Sequence, residues 1–313
     1  MNNFAQPSTT TRTARFGLAA STALVALVLA GCGGAAGQAS SAGPATNTTV
    51  SAAPVSSIAK LVPPSIVRTG TVRVGVALGS PPDEFQDQDG QVLGWEVDLV
   101  RAAAQVMGLN VTFSQASFDS LIPGLQANRY DLAIGQFGIT AQRENVVDFV
   151  STLSSNELLA AKADSTIAVH TLADLCGHSV ATTRGAHEVQ FAQRQDPQCL
   201  AAGKKPIDIK VFDNSSQASL ALMSGRVEVF WLGSTAISYF VQTTHGQAKV
   251  IGHYLDPQPI GTALQKNSPL GRALQAAMQH NIDSGVYRTV LAKWGLAADA
   301  IHASELDPAV SSS

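Results

Sequence analysis

Arg143 carries the most pointed chemistry in this chain. It sits three positions after Thr140 in Ile139-Thr140-Ala141-Gln142-Arg143, at a predicted helix start behind the apolar run Tyr130 to Gly135. A guanidinium fixed beside the free N–H groups of a helix N-terminus suits a carboxylate, because its planar fork donates two parallel hydrogen bonds. Glu144 and Asp148 stand near enough in sequence to make Arg143 a plain surface ion pair instead, and Phe118, at a loop–helix junction, could equally be core. A second helix start, at Ala186, His187 and Glu188 behind Gly185, offers amides of the same kind. His187 with Glu188 is the one acid–base pair in view. The other histidines show no ligand spacing, so neither a metal nor a cofactor is expected.

These residues need a scaffold, and composition supplies one. The chain has 313 residues, 45% hydrophobic and 14% charged, enough for one large or two medium cores. A formal net charge of −3 without any Lys/Arg cluster gives no footprint for nucleic acid. At the N-terminus Arg12 and Arg15 precede the apolar run Phe16 to Ala30, which is too short to span a membrane comfortably (roughly 20 residues are needed) and has the flanks of a secretory signal. It ends in Leu29-Ala30-Gly31-Cys32, which resembles a bacterial lipobox with Cys32 as the lipidated residue. Residues 1–31 therefore read as a signal peptide. Residues 32–65, rich in Gly, Ala, Ser, Thr and Pro, read as a flexible tether unable to form a core. In an exported protein Cys176 and Cys199 are expected to form a disulfide, and the absence of CxxC spacing argues against zinc.

The folded part alternates strand and helix. Strand patterns run over Thr71 to Leu78, Val111 to Phe113 and Tyr130 to Gly135, and helical patterns over Trp95 to Met107 and from Phe118. This rhythm predicts parallel strands with helices on both faces. A polar turn is expected at Ser151 to Asn156. A second set of units follows, with strands at Ser179 to Thr183, Ile209 to Phe212, Val227 to Trp231 and Lys249 to Ile251. Two closing helices cover Pro269 to Ser284 and Val286 to Trp294. Asn128-Arg129-Tyr130-Asp131-Leu132 and Gly225-Arg226-Val227-Glu228-Val229 echo one another, as two similar lobes facing across a cleft would.

From Val67 to Gly295 the ordered motifs Val72-Arg73-Val74-Gly75-Val76, Gly94-Trp95-Glu96-Val97-Asp98-Leu99, Phe118-Asp119-Ser120-Leu121-Ile122-Pro123, Thr140-Ala141-Gln142-Arg143 and Lys293-Trp294-Gly295 resemble the family 3 solute-binding proteins of bacterial ABC importers. The resemblance implies an α/β, two-lobed type II periplasmic-binding-protein fold, each lobe a mixed sheet flanked by helices. Two crossover strands would join lobe 1 (66–156 and 255–302) to lobe 2 (157–254), with 303–313 as a tail. It also implies that Arg143 clamps a ligand carboxylate, that Phe118 stacks on the ligand, and that Gln136, Gly138, Ala186, His187 and Glu188 surround it. Two positions depart from the pattern. Gly233 stands where the family usually has an acid for the ligand's ammonium, and Ser80 where an aromatic often covers the ligand. An unpaired buried ammonium is costly, so Asp83 or Glu188 takes over, or the ligand is not a standard α-amino acid.

The expectation is a monomeric, lipid-anchored binding protein on the outer face of the membrane. It would present a small carboxylate-bearing solute, an amino acid or derivative, to an ABC permease without chemistry of its own. The alternatives are an enzyme on the same fold, acting like a dehydratase on a cyclic amino-acid precursor, and a ligand-presenting partner of a membrane sensor.

Overall fold

A computed structural model describes residues 51–310, without the side chains of 254–257; the predicted signal peptide and Cys32 lie outside them. Eight strands form one sheet. In chain order they are β1 (Thr71–Val76), β4 (Asn110–Gln115), β5 (Leu132–Gly138), β6 (Val147–Lys162), β7 (Ser179–Thr183), β8 (Asp208–Phe212), β9 (Val229–Gly233) and β10 (Ala248–Gln265), while β2 (Phe85–Gln86) and β3 (Val92–Leu93) make a separate small ribbon. The spatial order β4-β1-β5-β10-β6-β9-β7-β8 puts a parallel triplet at each end. Between them β10 and β6 run antiparallel to each other and to their outer neighbours.

The sheet is therefore mixed, and the purely parallel arrangement that the strand–helix rhythm suggests holds only at its two ends. The predicted polar turn at Ser151 to Asn156 is instead the middle of the 16-residue β6, and the strand pattern at Lys249 to Ile251 belongs to an 18-residue strand that runs on to Gln265. The polar residues misled because protein, not water, satisfies them. Ser151 is buried and accepts from Ser304 and Glu305, while Ser155 Oγ meets Ser234 Oγ at 2.9 Å.

Helices cover both ends. Around β1 and β5, α3 (Trp95–Val106), α9 (Leu270–Asp283) and α10 (Val286–Trp294) bury one core, and α4 (Phe118–Gln126) packs on the opposite face around Leu121, Phe137 and Phe149. Around β7 and β9, α7 (Ser215–Met223) and α8 (Ser234–Thr243) bury Phe230 and Ile237, and α6 (Glu188–Ala201) buries Phe191 against Trp231. Each fully buried Leu, Ile or Phe contributes about 1.5–3 kcal/mol relative to exposure, so packing, not helix propensity, holds these elements. The Cys176–Cys199 disulfide is formed and ties α6 to the 3-10 turn Leu172–Leu175.

Two chain ends depart from expectation. The short helices α1 (Ser56–Ala59) and α2 (Pro64–Thr69) begin inside the predicted tether, with Ile58 and Val62 buried in the first core and Val55 N–H donating to Val106 O. The reading of 32–65 as unable to join a core thus gives way from Val55 onward, where apolar residues recur. At the other end, Ser304 is buried and Asp307 Oδ1 accepts from Phe149 N–H at 2.8 Å, so residues 303–307 pack along β6 rather than trail as a tail. No described helix is long and apolar enough to cross a membrane.

Candidate functional site

Both halves of the sheet send loops to one cleft. From the first half come Ser80, Asp83, Glu84, Phe118, Gln136 and Arg143. From β6 and the second half come Glu157, Ala186, His187, Glu188, Asp213, Asn214 and Gly233.

Arg143 belongs to the single turn α5 (Ala141–Glu144), whose start is capped by Thr140 Oγ1 accepting from Arg143 N–H. Its guanidinium is fixed from three sides. Nη1 donates to Gly138 O at 2.7 Å, Nη2 reaches Gly185 O in the opposite half at 3.4 Å, and the group lies 5.5 Å from both the Phe118 and Phe137 ring centres. Desolvation lowers its pKa to about 10, with Glu188 and Glu157 opposing the fall, so it stays cationic at neutral pH. Phe118 opens α4 and stacks on Phe137 at 4.8 Å, with part of its surface on the cleft.

Carboxyl groups dominate the rest, in two sets. The first comprises Asp83, Glu84 and Glu96, all at most 2% exposed. The loop that carries them lies against the start of α3. Gly94, at φ +139°, makes this possible, since a Cβ there would sit 2.0 Å from Asp83 O. Trp95 Nε1 donates to Asp83 Oδ1 at 2.6 Å, and Gln136 N–H donates to Glu96 Oε2 at 2.7 Å. Burial raises Asp83 and Glu96 to about 7, and burial with repulsion from Glu96 and Asp83 holds Glu84 well above the usual carboxylate range.

The second set is Glu157 on β6 with His187 and Glu188 at the start of α6. His187 Nε2 lies 2.9 Å from Glu157 Oε1. Burial lowers the His187 pKa, so the neutral ring serves as donor in its Nε2–H tautomer. Burial raises Glu157 to about 7 and Glu188 to about 8, the latter further raised by the charge of Glu157. One oxygen of each, Oε2, is buried without a hydrogen-bond partner. By donor type these three residues could hold a metal ion, since their ligating atoms lie within 4.8 Å of one another. The adjacent Arg143 charge disfavours a dication there and suits a monocation better.

Most residues expected from sequence converge on this cleft: Ser80, Asp83, Phe118, Gln136, Arg143, Ala186, His187, Glu188 and Gly233. Gly138 does not line it. Its carbonyl accepts from Arg143 and its Cα faces the His187 ring, so it helps to position the Arg143 guanidinium. Ala186 N–H, expected as a ligand donor, instead closes a turn onto Thr183 O. Gly233 contributes an absence of side chain. The Gln136 amide fills that space, donating from Nε2 to Thr235 Oγ1, and a Cβ on Gly233 would meet Nε2 at 2.6 Å. Gln136 holds this position with φ +52°, a backbone region that costs a non-glycine residue on the order of 1–3 kcal/mol. Trp231 stacks on Phe191 behind Glu157 and does not line the cleft.

The sequence reading missed Glu157, Glu84, Asp213 and Asn214. Glu157 sat in the stretch taken for a turn leading into a strand. A lone acid between Ser154-Ser155-Asn156 and the apolar Leu158-Leu159 was the available signal.

The model of the bacterial extracellular solute-binding proteins, family 3, matches residues 72–297. The chain belongs to this family. ArgT, an arginine-binding protein of Corynebacterium glutamicum, is 32% identical over 244 residues, covering 78% of this chain and 80% of that protein. A solved structure of an ancestral arginine-binding protein bound to arginine matches at 31% identity with a TM-score of 0.65, over 72% of this chain and 98% of that one. AncCDT-1, an ancestral amino acid-binding protein described as a precursor of cyclohexadienyl dehydratase, matches at 26% identity and TM-score 0.66, over 74% and 97%. The family membership makes the chain a bacterial extracellular solute-binding protein.

Proposed function

We propose that this receptor captures a cationic amino acid, with L-arginine the best fit. One observation carries the reading: a single guanidinium, Arg143, shares the cleft lining with four buried carboxyl groups, Asp83, Glu84, Glu157 and Glu188, besides Asp213, which pairs with Arg184. A neutral or anionic amino acid leaves this excess uncompensated, whereas a ligand with one carboxylate and two cationic groups matches it. The ligand carboxylate pairs with Arg143, and its two cations meet the two carboxyl sets. Arginine, the ligand of two family relatives, agrees with that charge pattern.

Capture proceeds by closure of two lobes, 66–156 with 255–302 and 157–254, about β6 and β10, the closed form being favoured by contacts made from both sides. The filled receptor is then offered to an ABC permease by a protein held at the membrane through Cys32. A thermal-shift panel of arginine, lysine, ornithine, glutamine, glutamate and acetate tests the ligand class. Arginine should give the largest rise in Tm, and an equal rise with glutamate would sink the proposal.

The hydrogen-bonded His187–Glu157 pair beside Glu188 gives an enzymatic reading its one foothold, as a general acid–base group. Turnover of a cyclic amino-acid precursor, abolished by Glu188→Gln, would establish it. Transport predicts no turnover.

A further inference from the structure

We infer that Glu157 is the residue that holds the ligand's α-ammonium, taking over across the β-ladder the role that Gly233 has vacated. The inference deepens the amino-acid reading above and rests on it. In the antiparallel pairing of β6 with β9, Glu157 lies directly opposite Gly233. Residues opposite one another in such a ladder have side chains about 4.5–5.5 Å apart at Cβ, so an acid moved from one member of the pair to the other stays in the same corner of the cleft. The corner cannot hold both arrangements. The Gln136 amide occupies the space above Gly233, and a side chain there would collide with it.

The other carboxyls fit the task less well. Asp83 is bound at Oδ1 by Trp95 Nε1 and belongs with Glu84 and Glu96 in the first half. Asp213 pairs at the surface with Arg184. Glu188 also presents a buried oxygen without a partner, but it opens α6 and does not lie opposite Gly233 in the ladder. Glu157 is positioned by His187 through Oε1 and lines the cleft. It is also close enough to Arg143 for their charges to interact. A carboxylate and a guanidinium side by side fit the adjacent ammonium and carboxylate of an α-amino acid.

The test pairs each amino acid with the same molecule lacking its α-amino group. Isothermal titration would compare L-arginine with 5-guanidinopentanoate, and L-glutamine with 4-carbamoylbutanoate, on the full exported chain and on Glu157→Gln. The isosteric amide can still accept from His187. The wild type should prefer each amino acid over its des-amino partner by at least about 100-fold. In Glu157→Gln that ratio should fall below about 5-fold, through loss of amino-acid affinity alone. A wild-type preference that survives Glu157→Gln, or that collapses instead in Glu188→Gln or Asp83→Asn, overturns the inference. If glutamine binds and arginine does not, the cationic-ligand reading fails, and the glutamine pair still decides the role of Glu157. No binding of either pair overturns both. Should Glu157→Gln not fold, Glu157→Asp is read in its place, with an intermediate ratio expected and an unchanged one contradicting the assignment.

Discussion

The two carboxyl sets of the cleft are alike in burial and unlike in attachment. Asp83 and Glu96 in the first half already accept short hydrogen bonds from Trp95 and Gln136, groups that belong to the protein's own frame. Glu157 is joined instead to the titratable ring of His187, and the charge of Arg143 acts on both Glu157 and Glu188. Burying carboxyls is expensive in both sets, and each set keeps buried oxygens without a partner. On the proposed reading the first set, held by the frame, takes the far end of a ligand, and the second, beside Arg143, takes the end that carries its carboxylate.

The largest effect expected in testing this contrast is at the clamp. Arg143→Ala removes one partner of a buried ion pair, a loss of about 3–5 kcal/mol, and should weaken arginine binding by at least about 100-fold in a calorimetric titration. Glu84→Gln probes the opposite set. Losing one charge-assisted contact of roughly 1.5–3 kcal/mol should weaken arginine by about 10–100-fold while glutamine affinity stays within about threefold. Equal losses for both ligands would erase the distinction between the two ends.

A pH series sharpens the contrast further. Glu157, Asp83 and Glu96 sit at about 7 and Glu188 at about 8, raised above the unfolded carboxylate range, so the ligand-free fold binds more protons than the unfolded chain between roughly pH 4.5 and 8. Its stability is fully present below the unfolded pKa and is lost as pH rises through 7 to 8. Facing Glu157 and Glu188 are His187, held neutral by burial, Arg143 and Trp231, none of which reverses that sign. The Tm of ligand-free protein should therefore fall between pH 5 and 8.5. Arginine affinity should rise over pH 6 to 8.5, by up to about tenfold per pH unit for each proton released. The smallest effect on binding is expected at the disulfide. Replacing Cys176 and Cys199 by serine should lower stability by about 3 kcal/mol, read from chemical denaturation, with arginine affinity unchanged.

Much of this was legible in the sequence where local pattern and function coincide. Alternating valines gave β1, the amphipathic run from Trp95 gave α3, and the Thr140-Ala141-Gln142-Arg143 stretch gave the helix start that carries Arg143. The long central strands were not legible, because Ser151, Ser155 and Glu157 are buried yet polar, and their partners Ser304, Ser234 and His187 lie far away in sequence. A pattern reading assigns such residues to water. The same blindness hid the acid that matters most. Gly233 announced a missing carboxylate, and only the pairing of β6 with β9 places Glu157 opposite it.

The central claim, that the cleft is built for a cationic amino acid, is tested most directly by titrating the receptor with L-arginine and with L-citrulline. The two have nearly the same shape, and only arginine carries a charged side chain. Arginine should bind at least about 100-fold more tightly at pH 8; equal affinity for the two would contradict the account.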